Sequence, residues 1–283
     1  MSEAAPLHTR TVGGLAITVA TPSTSDDALP PLLFIHGMNG GAWYWERYQR
    51  FFAEHGWTSW ALDLRGHHAS RPVAQLGRVP LRAYVDDALA VARTLAREHA
   101  VPAVVGHSMG GIIAQGVAAC DTVRALVLIA AVPPRGIRLL TPELALRALG
   151  HVGAFLASTP FTPSRREAEA LLLHTIPEPE RAEVYARLVP ESARAALTLA
   201  TRSLRVDARD VRCPVLVVSA LEDRLVVPRV ARRIAAHYEA PLLEYAGHGH
   251  LIVAEPGWER PASDIERWLR SAVAPGRDTV RQS

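Results

Sequence analysis

Short apolar runs of strand length alternate with longer segments of helical spacing along most of this 283-residue chain. This alternation is typical of parallel strands joined by crossover helices, and it predicts an α/β fold with a mostly parallel, roughly eight-stranded sheet flanked by helices. Near the N-terminus, residues 8–12 and 15–20 are expected to pair as a hairpin across Gly13-Gly14. The other predicted strands are 32–35, 58–62, 103–106, 125–130, 214–219 and 242–245, and the predicted helices are 43–55, 81–99, 109–119, 228–238 and 261–273.

One segment interrupts the alternation. From Pro133-Pro134 to about Asp210 the sequence shows helical spacing, broken by prolines, without a convincing strand. We therefore predict a core of residues 1–134 and 210–283 with a helical cap at 135–209. Packing is the expected role for most of the apolar side chains of this segment, and lining a pocket is the alternative: Leu139, Leu140, Phe155, Leu156, Phe161, Leu171, Leu172 and Ile176.

Charge and hydropathy narrow the choice of partner. All 31 basic residues are arginine, but they are dispersed among 28 acidic residues and form no basic stripe, so nucleic acid is not expected as a partner. No apolar stretch approaches the ~18 residues that cross a bilayer, and residues 1–10 do not resemble a secretion signal. We expect a cytoplasmic protein, unless a signal peptide has been removed, with residues 274–283 as a polar tail.

The two cysteines, Cys120 and Cys213, lie in apolar surroundings far apart in the chain. This arrangement favours two buried thiols over a disulfide. The histidines show no spacing typical of a metal site, and no cofactor motif is present, so neither a metal nor a cofactor is expected.

A Gly-x-Ser-x-Gly motif, Gly106-His107-Ser108-Met109-Gly110, lies between a predicted strand and a predicted helix. In that context the serine occupies a sharp, strained turn, and the hydroxyl projects above the sheet at the N-terminus of a helix. Ser108 is therefore the candidate nucleophile. The alternative is a glycine-rich turn with an incidental serine.

The run Gly-His-Ser-Met-Gly-Gly resembles the nucleophile elbow of the α/β-hydrolase family, and the order of the remaining motifs matches that family over nearly the whole chain. The resemblance implies the α/β-hydrolase fold and a serine hydrolase related to carboxylesterases and lipases. Haloalkane dehalogenases and epoxide hydrolases of this fold carry an aspartate at the elbow, so both are disfavoured.

The segment Phe34-Ile35-His36-Gly37-Met38-Asn39-Gly40-Gly41 is similar to the His-Gly loop of the family. By this resemblance, the backbone amides of Met38 and Met109 would form the oxyanion hole. A simple strand-ending turn is the alternative.

The resemblance also implies an acid and a base in the order Ser, acid, His. Asp223 follows a predicted strand and matches the acid loop, with Glu222 as the adjacent competitor. His248 and His250 both follow a glycine, and the spacing to Glu255 in similar family members selects His250. The segment 63–70 resembles another family motif, but His68 stands where the family has glycine, which puts the local turn in doubt.

These features predict hydrolysis of a carboxylic ester, or a related acyl compound, through an acyl-enzyme on Ser108. A small acyl substrate of moderate hydrophobicity is favoured by the apolar segment 135–209 and by the aromatic residues 43–45, although a core role for those aromatics is equally compatible. The alternatives are a cofactor-free lyase or cyclase, an acyltransferase, and a non-catalytic small-molecule receptor.

Overall fold

The computed structural model describes residues 5–24, 26, 28–201 and 203–274. Its centre is one eight-stranded sheet of order β1-β2-β4-β3-β5-β6-β7-β8. The first two strands pair antiparallel as the predicted hairpin, β2 pairs antiparallel with β4, and all other neighbours are parallel. The strands are β1 Leu7–Val12, β2 Leu15–Ala20, β3 Leu32–Ile35, β4 Ser59–Leu62, β5 Ala103–His107, β6 Leu126–Ile129, β7 Val215–Ala220 and β8 Leu242–Tyr245. The predicted fold class is confirmed.

Every residue of β3, β4, β5, β6 and β7 is buried. Continuous apolar runs are required here because both faces of a parallel sheet are covered by helices. Ile35 of β3 pairs with Gly106 of β5, and Ile129 of β6 pairs with His107. The carboxyl ends of these strands therefore lie level, and the loops that follow them meet at one edge of the sheet.

Five helices flank the sheet: α1 Glu46–Glu54, α2 Leu81–Glu98, α3 Met109–Cys120, α9 Pro228–Tyr238 and α10 Glu259–Val273. Two apolar clusters separate the layers. One contains buried residues of α2, α3 and α9, and the other contains buried residues of α1 and α10. This division places helices on both faces of the sheet, as the alternation of the sequence predicts.

Between β6 and β7 the described residues form the helices α4 Pro142–Ala148, α5 Val152–Ala157, α6 Arg165–Leu171, α7 Glu178–Ala186 and α8 Ala193–Thr201. An isolated bridge joins Phe161 to Glu191 within this segment. The segment begins at the carboxyl end of β6, which belongs to the edge at which the site loops meet, and the chain returns to the opposite edge to enter β7. Among the described residues, no helix is long and apolar enough to cross a membrane.

Two local predictions need correction. The predicted helix 43–55 begins as a 3-10 turn, Ala42–Trp45, before α1 starts at Glu46. Both cysteines are free, but Cys120 is exposed at the end of α3 and Cys213 is half-buried, so the prediction of two buried thiols is wrong. Val117 and Ala118 of the same helix are buried, whereas Cys120, at its end, is exposed and its sulfur lies 3.7 Å from Arg82 of α2. Of the predicted polar tail, residues 275–283 lie outside the described part.

Candidate active site

Ser108 lies between β5 and α3 with φ 54° and ψ −119°, an unfavourable backbone conformation for a residue with a side chain. The turn is tight enough to exclude side chains at both flanking glycines. A Cβ on Gly106 would overlap the carbonyl of Gly110, and a Cβ on Gly110 would overlap the carbonyl oxygen of Ile35. The strained elbow expected from the motif is therefore present.

The three residues predicted as nucleophile, base and acid lie in hydrogen-bond contact. His250 Nε2 is 2.8 Å from Ser108 Oγ, and His250 Nδ1 is 2.8 Å from Asp223 Oδ2. All three side chains are buried, although they come from the loops after β5, β7 and β8. The imidazole can accept the proton of the Ser108 hydroxyl on one nitrogen while its other N–H donates to the carboxylate.

Asp223 and His250 are each held by further hydrogen bonds. The second oxygen of Asp223, Oδ1, accepts from the backbone amides of Leu225 at 2.8 Å and Val226 at 2.9 Å. His107 Nε2 lies 2.7 Å from the carbonyl oxygen of His250 and must donate to it. Burial, with the nearby His250, lowers the pKa of His107 to about 3, so its ring stays neutral. His107 therefore braces the loop that carries His250.

The competing residues have other partners. His248 Nδ1 lies 3.4 Å from Glu255 Oε2, and the same oxygen accepts from the amide of Gly249 at 2.8 Å. Glu222 is exposed, and its amide donates to the carbonyl of His248. Neither side chain takes part in the contacts of Ser108 that the structure describes.

The loop after β3 packs directly against the elbow. A Cβ on Gly37 would stand 2.9 Å from the Cβ of Ser108, and Met38 and Met109 line the same cavity as Ser108. Met109 is the first residue of α3, so its amide has no carbonyl four residues earlier in the helix to bond. The two residues whose amides are predicted as oxyanion donors thus lie beside the predicted nucleophile.

The segment after β4 braces this loop. Leu64 N donates to His36 Nε2 at 3.1 Å, and His36 Nδ1 donates to the carbonyl of Gly37 at 2.7 Å. Burial, reinforced by the neighbouring His67, lowers the pKa of His36 well below its ordinary value. His68 adopts φ 39°, so this position keeps the left-handed turn even though histidine replaces glycine there.

A cavity of about 230 Å³ opens above Ser108 and is lined mostly by apolar side chains. Of the eight apolar residues of segment 135–209 named above, six line this cavity and Leu156 is exposed. The six are Leu139, Leu140, Phe155, Phe161, Leu171 and Leu172. Packing and lining are combined in Leu139 and Leu172, which also contact the core clusters, and Ile176 is buried in the core. Of the aromatic residues 43–45, Tyr44 lines the cavity, whereas Trp45 stacks on Phe34 in the core at 4.8 Å.

Three residues at the edge of the site were not found by sequence reasoning: Asn39, His67 and Glu191. Asn39 follows Met38, and its side chain and backbone bond to the segment between β6 and β7. Glu191 and His67 form a fully buried pair, 3.1 Å between Oε2 and Nε2. Burial opposes charge on both, but their mutual attraction outweighs it, so the pKa of His67 is raised and that of Glu191 is lowered. A lone glutamate in a helical segment carries no sequence signal for such a role.

Comparison with known proteins agrees with this architecture. The model of the alpha/beta hydrolase family matches residues 32–262. One similar characterised protein is the 2-(acetamidomethylene)succinate hydrolase of Mesorhizobium japonicum, 29% identical over 243 residues, which span 79% of this chain and 82% of the relative.

Solved structures of esterases share the fold. An esterase from Rhodococcus sp. ECU1013 superposes with a TM-score of 0.70 and 20% identity, covering 95% of this chain and 100% of the other. A thermophilic esterase from Thermogutta terrifontis gives a TM-score of 0.67 with 22% identity, covering 95% of this chain and 98% of the other.

Proposed function

The chain belongs to the alpha/beta hydrolase family, and from this premise we propose that it hydrolyses an uncharged carboxylic ester through an acyl-enzyme on Ser108. The observation that carries the proposal is the continuous chain of hydrogen bonds from Asp223 through His250 to Ser108, at the floor of an apolar cavity. A buried hydroxyl, imidazole and carboxylate in this order are the groups that nucleophilic acyl transfer requires.

In the proposed reaction, Ser108 Oγ attacks the ester carbonyl while His250 Nε2 accepts the hydroxyl proton. Asp223 keeps the imidazole oriented and stabilises its positive charge. The amides of Met38 and Met109 bind the oxygen that becomes negative, and His250 then returns the proton to the departing alcohol. Water, deprotonated by His250, attacks the acyl-enzyme, and the carboxylic acid leaves with Ser108 regenerated.

The cavity supports an uncharged, apolar acyl or alcohol group. Its walls include leucine and phenylalanine side chains of segment 135–209, which we propose acts as a cap. Among the lining residues that the structure describes, none is an arginine, and a dicarboxylate would find no guanidinium partner there. The preferred substrate is therefore expected to differ from the succinate derivative in the name of the Mesorhizobium japonicum relative.

The experiment is hydrolysis of p-nitrophenyl butanoate by Ser108→Ala. We expect turnover to fall at least several hundred-fold, because the nucleophile is removed while the binding cavity is kept. Ser219→Ala is the matched control, since this buried hydroxyl has no hydrogen-bond partner among the described residues. Near-parent turnover by Ser108→Ala would reject Ser108 as the nucleophile.

Labelling with a fluorophosphonate separates the alternatives. Covalent modification mapped to Ser108 is expected for an acyl-enzyme mechanism, and release of free acid in water distinguishes a hydrolase from an acyltransferase that needs an acceptor alcohol. A folded protein that neither reacts with the probe nor cleaves the ester would contradict the proposal and favour a non-catalytic receptor or a lyase.

A further inference from the structure

Asn39, the residue after the proposed oxyanion donor Met38, is bonded almost entirely to the segment between β6 and β7. Its side-chain Nδ2 donates to the carbonyls of Val189 at 2.9 Å and Phe161 at 3.2 Å. Its backbone carbonyl accepts from the amide of Val189 at 3.0 Å. The loop that carries Met38 is therefore held from the cap side, across about 150 residues of sequence.

Glu191, which is fully buried, also contacts the loop that carries Met38. Its Oε2 faces the amide of Asn39 at 3.5 Å and His67 Nε2 at 3.1 Å. Its Oε1 accepts from the hydroxyl of Tyr84 at 2.7 Å and from the amide of Ser192 at 2.6 Å. One carboxylate thus joins α2, the loop after β4, the cap and the loop after β3.

The backbone of Glu191 also fixes the carbonyl that Asn39 uses. Phe161 and Glu191 exchange two backbone hydrogen bonds, 3.1 Å and 2.8 Å, in the isolated bridge. Phe161 in turn lines the substrate cavity. A shift of Glu191 would therefore move the anchors of Asn39 and one wall of the cavity together.

We propose that Glu191 is a positioning residue for the oxyanion hole: through Asn39 it sets the position of the Met38 amide, so that the cap, and not the sheet alone, completes the catalytic geometry. This inference rests on the proposed function. Preorganised donors contribute to catalysis only when they lie within hydrogen-bond distance of the developing oxyanion, so a small displacement of Met38 reduces turnover more than substrate binding.

Glu191→Gln tests the inference with little change in volume. The amide oxygen is expected to keep the place of Oε1, because the two donors Tyr84 and Ser192 require an acceptor there. The NH₂ group then faces the amide of Asn39, donor against donor, and the attraction to His67 is lost. The two contacts of Oε2, with Asn39 and with His67, are therefore changed, whereas the two hydrogen bonds accepted by Oε1 are kept.

The readout separates positioning from a merely structural role. With p-nitrophenyl butanoate, Glu191→Gln should lower kcat by roughly 10- to 100-fold, with KM within about threefold of the parent. This loss is smaller than the loss expected when an oxyanion-hole donor is removed completely. The inhibition constant of an alkyl boronic acid, which forms a tetrahedral adduct with Ser108, should rise by a similar factor because the adduct resembles the transition state.

Tyr84→Phe is the matched control, since it removes a hydrogen bond to the same carboxylate on the oxygen that does not face Asn39. Tyr84→Phe should lower the melting temperature, while kcat and the inhibition constant of the boronic acid stay within about threefold of the parent. If Glu191→Gln fails to fold, Asn39→Ala keeps Glu191 in place and should show the same loss of kcat at nearly unchanged KM.

Two results would overturn the inference. A folded Glu191→Gln with parental kcat and parental affinity for the boronic acid would show that Glu191 does not position the Met38 amide. The proposed function would still stand in that case, because the parent remains active. A parent protein that neither cleaves esters nor binds the boronic acid would reject the proposed function, and this inference with it.

Discussion

His250 and His248 are separated by one residue and both follow a glycine, yet their rings have different partners. The ring of His250 lies between Ser108 and Asp223, whereas that of His248 lies against Glu255. In a loop, residues two apart can be held by different neighbours, and here the carboxylates of Asp223 and Glu255 select one ring each. The elbow residue Ser108 behaves differently, because its strained backbone is set by the flanking glycines within the same motif.

We predict that His250→Gln and His248→Gln have very different effects on ester hydrolysis. His250→Gln should lower kcat by at least a thousandfold, because glutamine cannot accept the proton of Ser108. His248→Gln should stay within about tenfold of the parent, since its ring supports the loop without touching Ser108. The measurement is kcat with p-nitrophenyl butanoate, with folding checked by circular dichroism. Equal losses in the two variants would contradict the assignment of His250 as the base.

At the scale of elements, α4 has two different faces. Ala148, at its end, lines the cavity above Ser108, whereas Ala145 is exposed. Helical spacing is the same for a helix that packs on a core and for one that borders a cavity, which is why the sequence could not distinguish these roles. The sequence therefore favours packing for the apolar residues of segment 135–209, and only the position of the cavity shows which of them line it.

We predict that Ala148→Leu shortens the acyl chain that the protein prefers, because the larger side chain occupies part of the cavity. The kcat/KM for p-nitrophenyl octanoate relative to the butanoate should fall about tenfold, the order expected for a lost methylene-sized space. Ala145→Leu makes the same change on the exposed face of the same helix. Chain-length profiles of both variants are the measurement, and a parental profile for Ala148→Leu would remove Ala148 from the acyl site.

At the scale of the whole molecule, several histidines are buried, and their protonation is linked to folding. The pKa of His107 is lowered to about 3 by burial, so the unfolded chain binds a proton below pH 6.5 that the folded chain does not, and stability falls as the pH falls. The raised pKa of His67 acts in the opposite direction: its contribution is fully present below pH 6.5 and is lost as the pH rises through the folded-state pKa.

We predict that His107→Gln reduces the loss of stability in mild acid. Between pH 7 and pH 5 the parent should lose about 2 kcal/mol more of its free energy of unfolding than the variant, at about 1.4 kcal/mol for each pH unit below 6.5. Urea unfolding at both pH values measures this difference, and exposed His8→Gln is the matched control. Parallel pH dependence of parent and His107→Gln would show that His107 is not kept neutral by folding.

The sequence alone determined the fold class, the order of the motifs along the chain and the candidate nucleophile. Hydrophobic periodicity and the strand-Gly-x-Ser-x-Gly-helix context are local, so they can be read without knowledge of distant contacts. Asp223 could be selected because it follows a core strand in the expected chain order, and parallel strands bring their carboxyl ends to one edge.

The resemblance to the family selected His250 over His248, and the tertiary structure shows the contact of its ring with Ser108. Only the tertiary structure decided which apolar side chains border empty space and that Glu191 reaches the loop of Met38. Each of these depends on segments far apart in the chain, such as His67 and Glu191 at a separation of 124 residues. Neither residue type nor spacing predicts such a long-range contact. A buried carboxylate is costly on its own, and that of Glu191 is stabilised only when the fold brings His67, Tyr84 and the surrounding amides together around it.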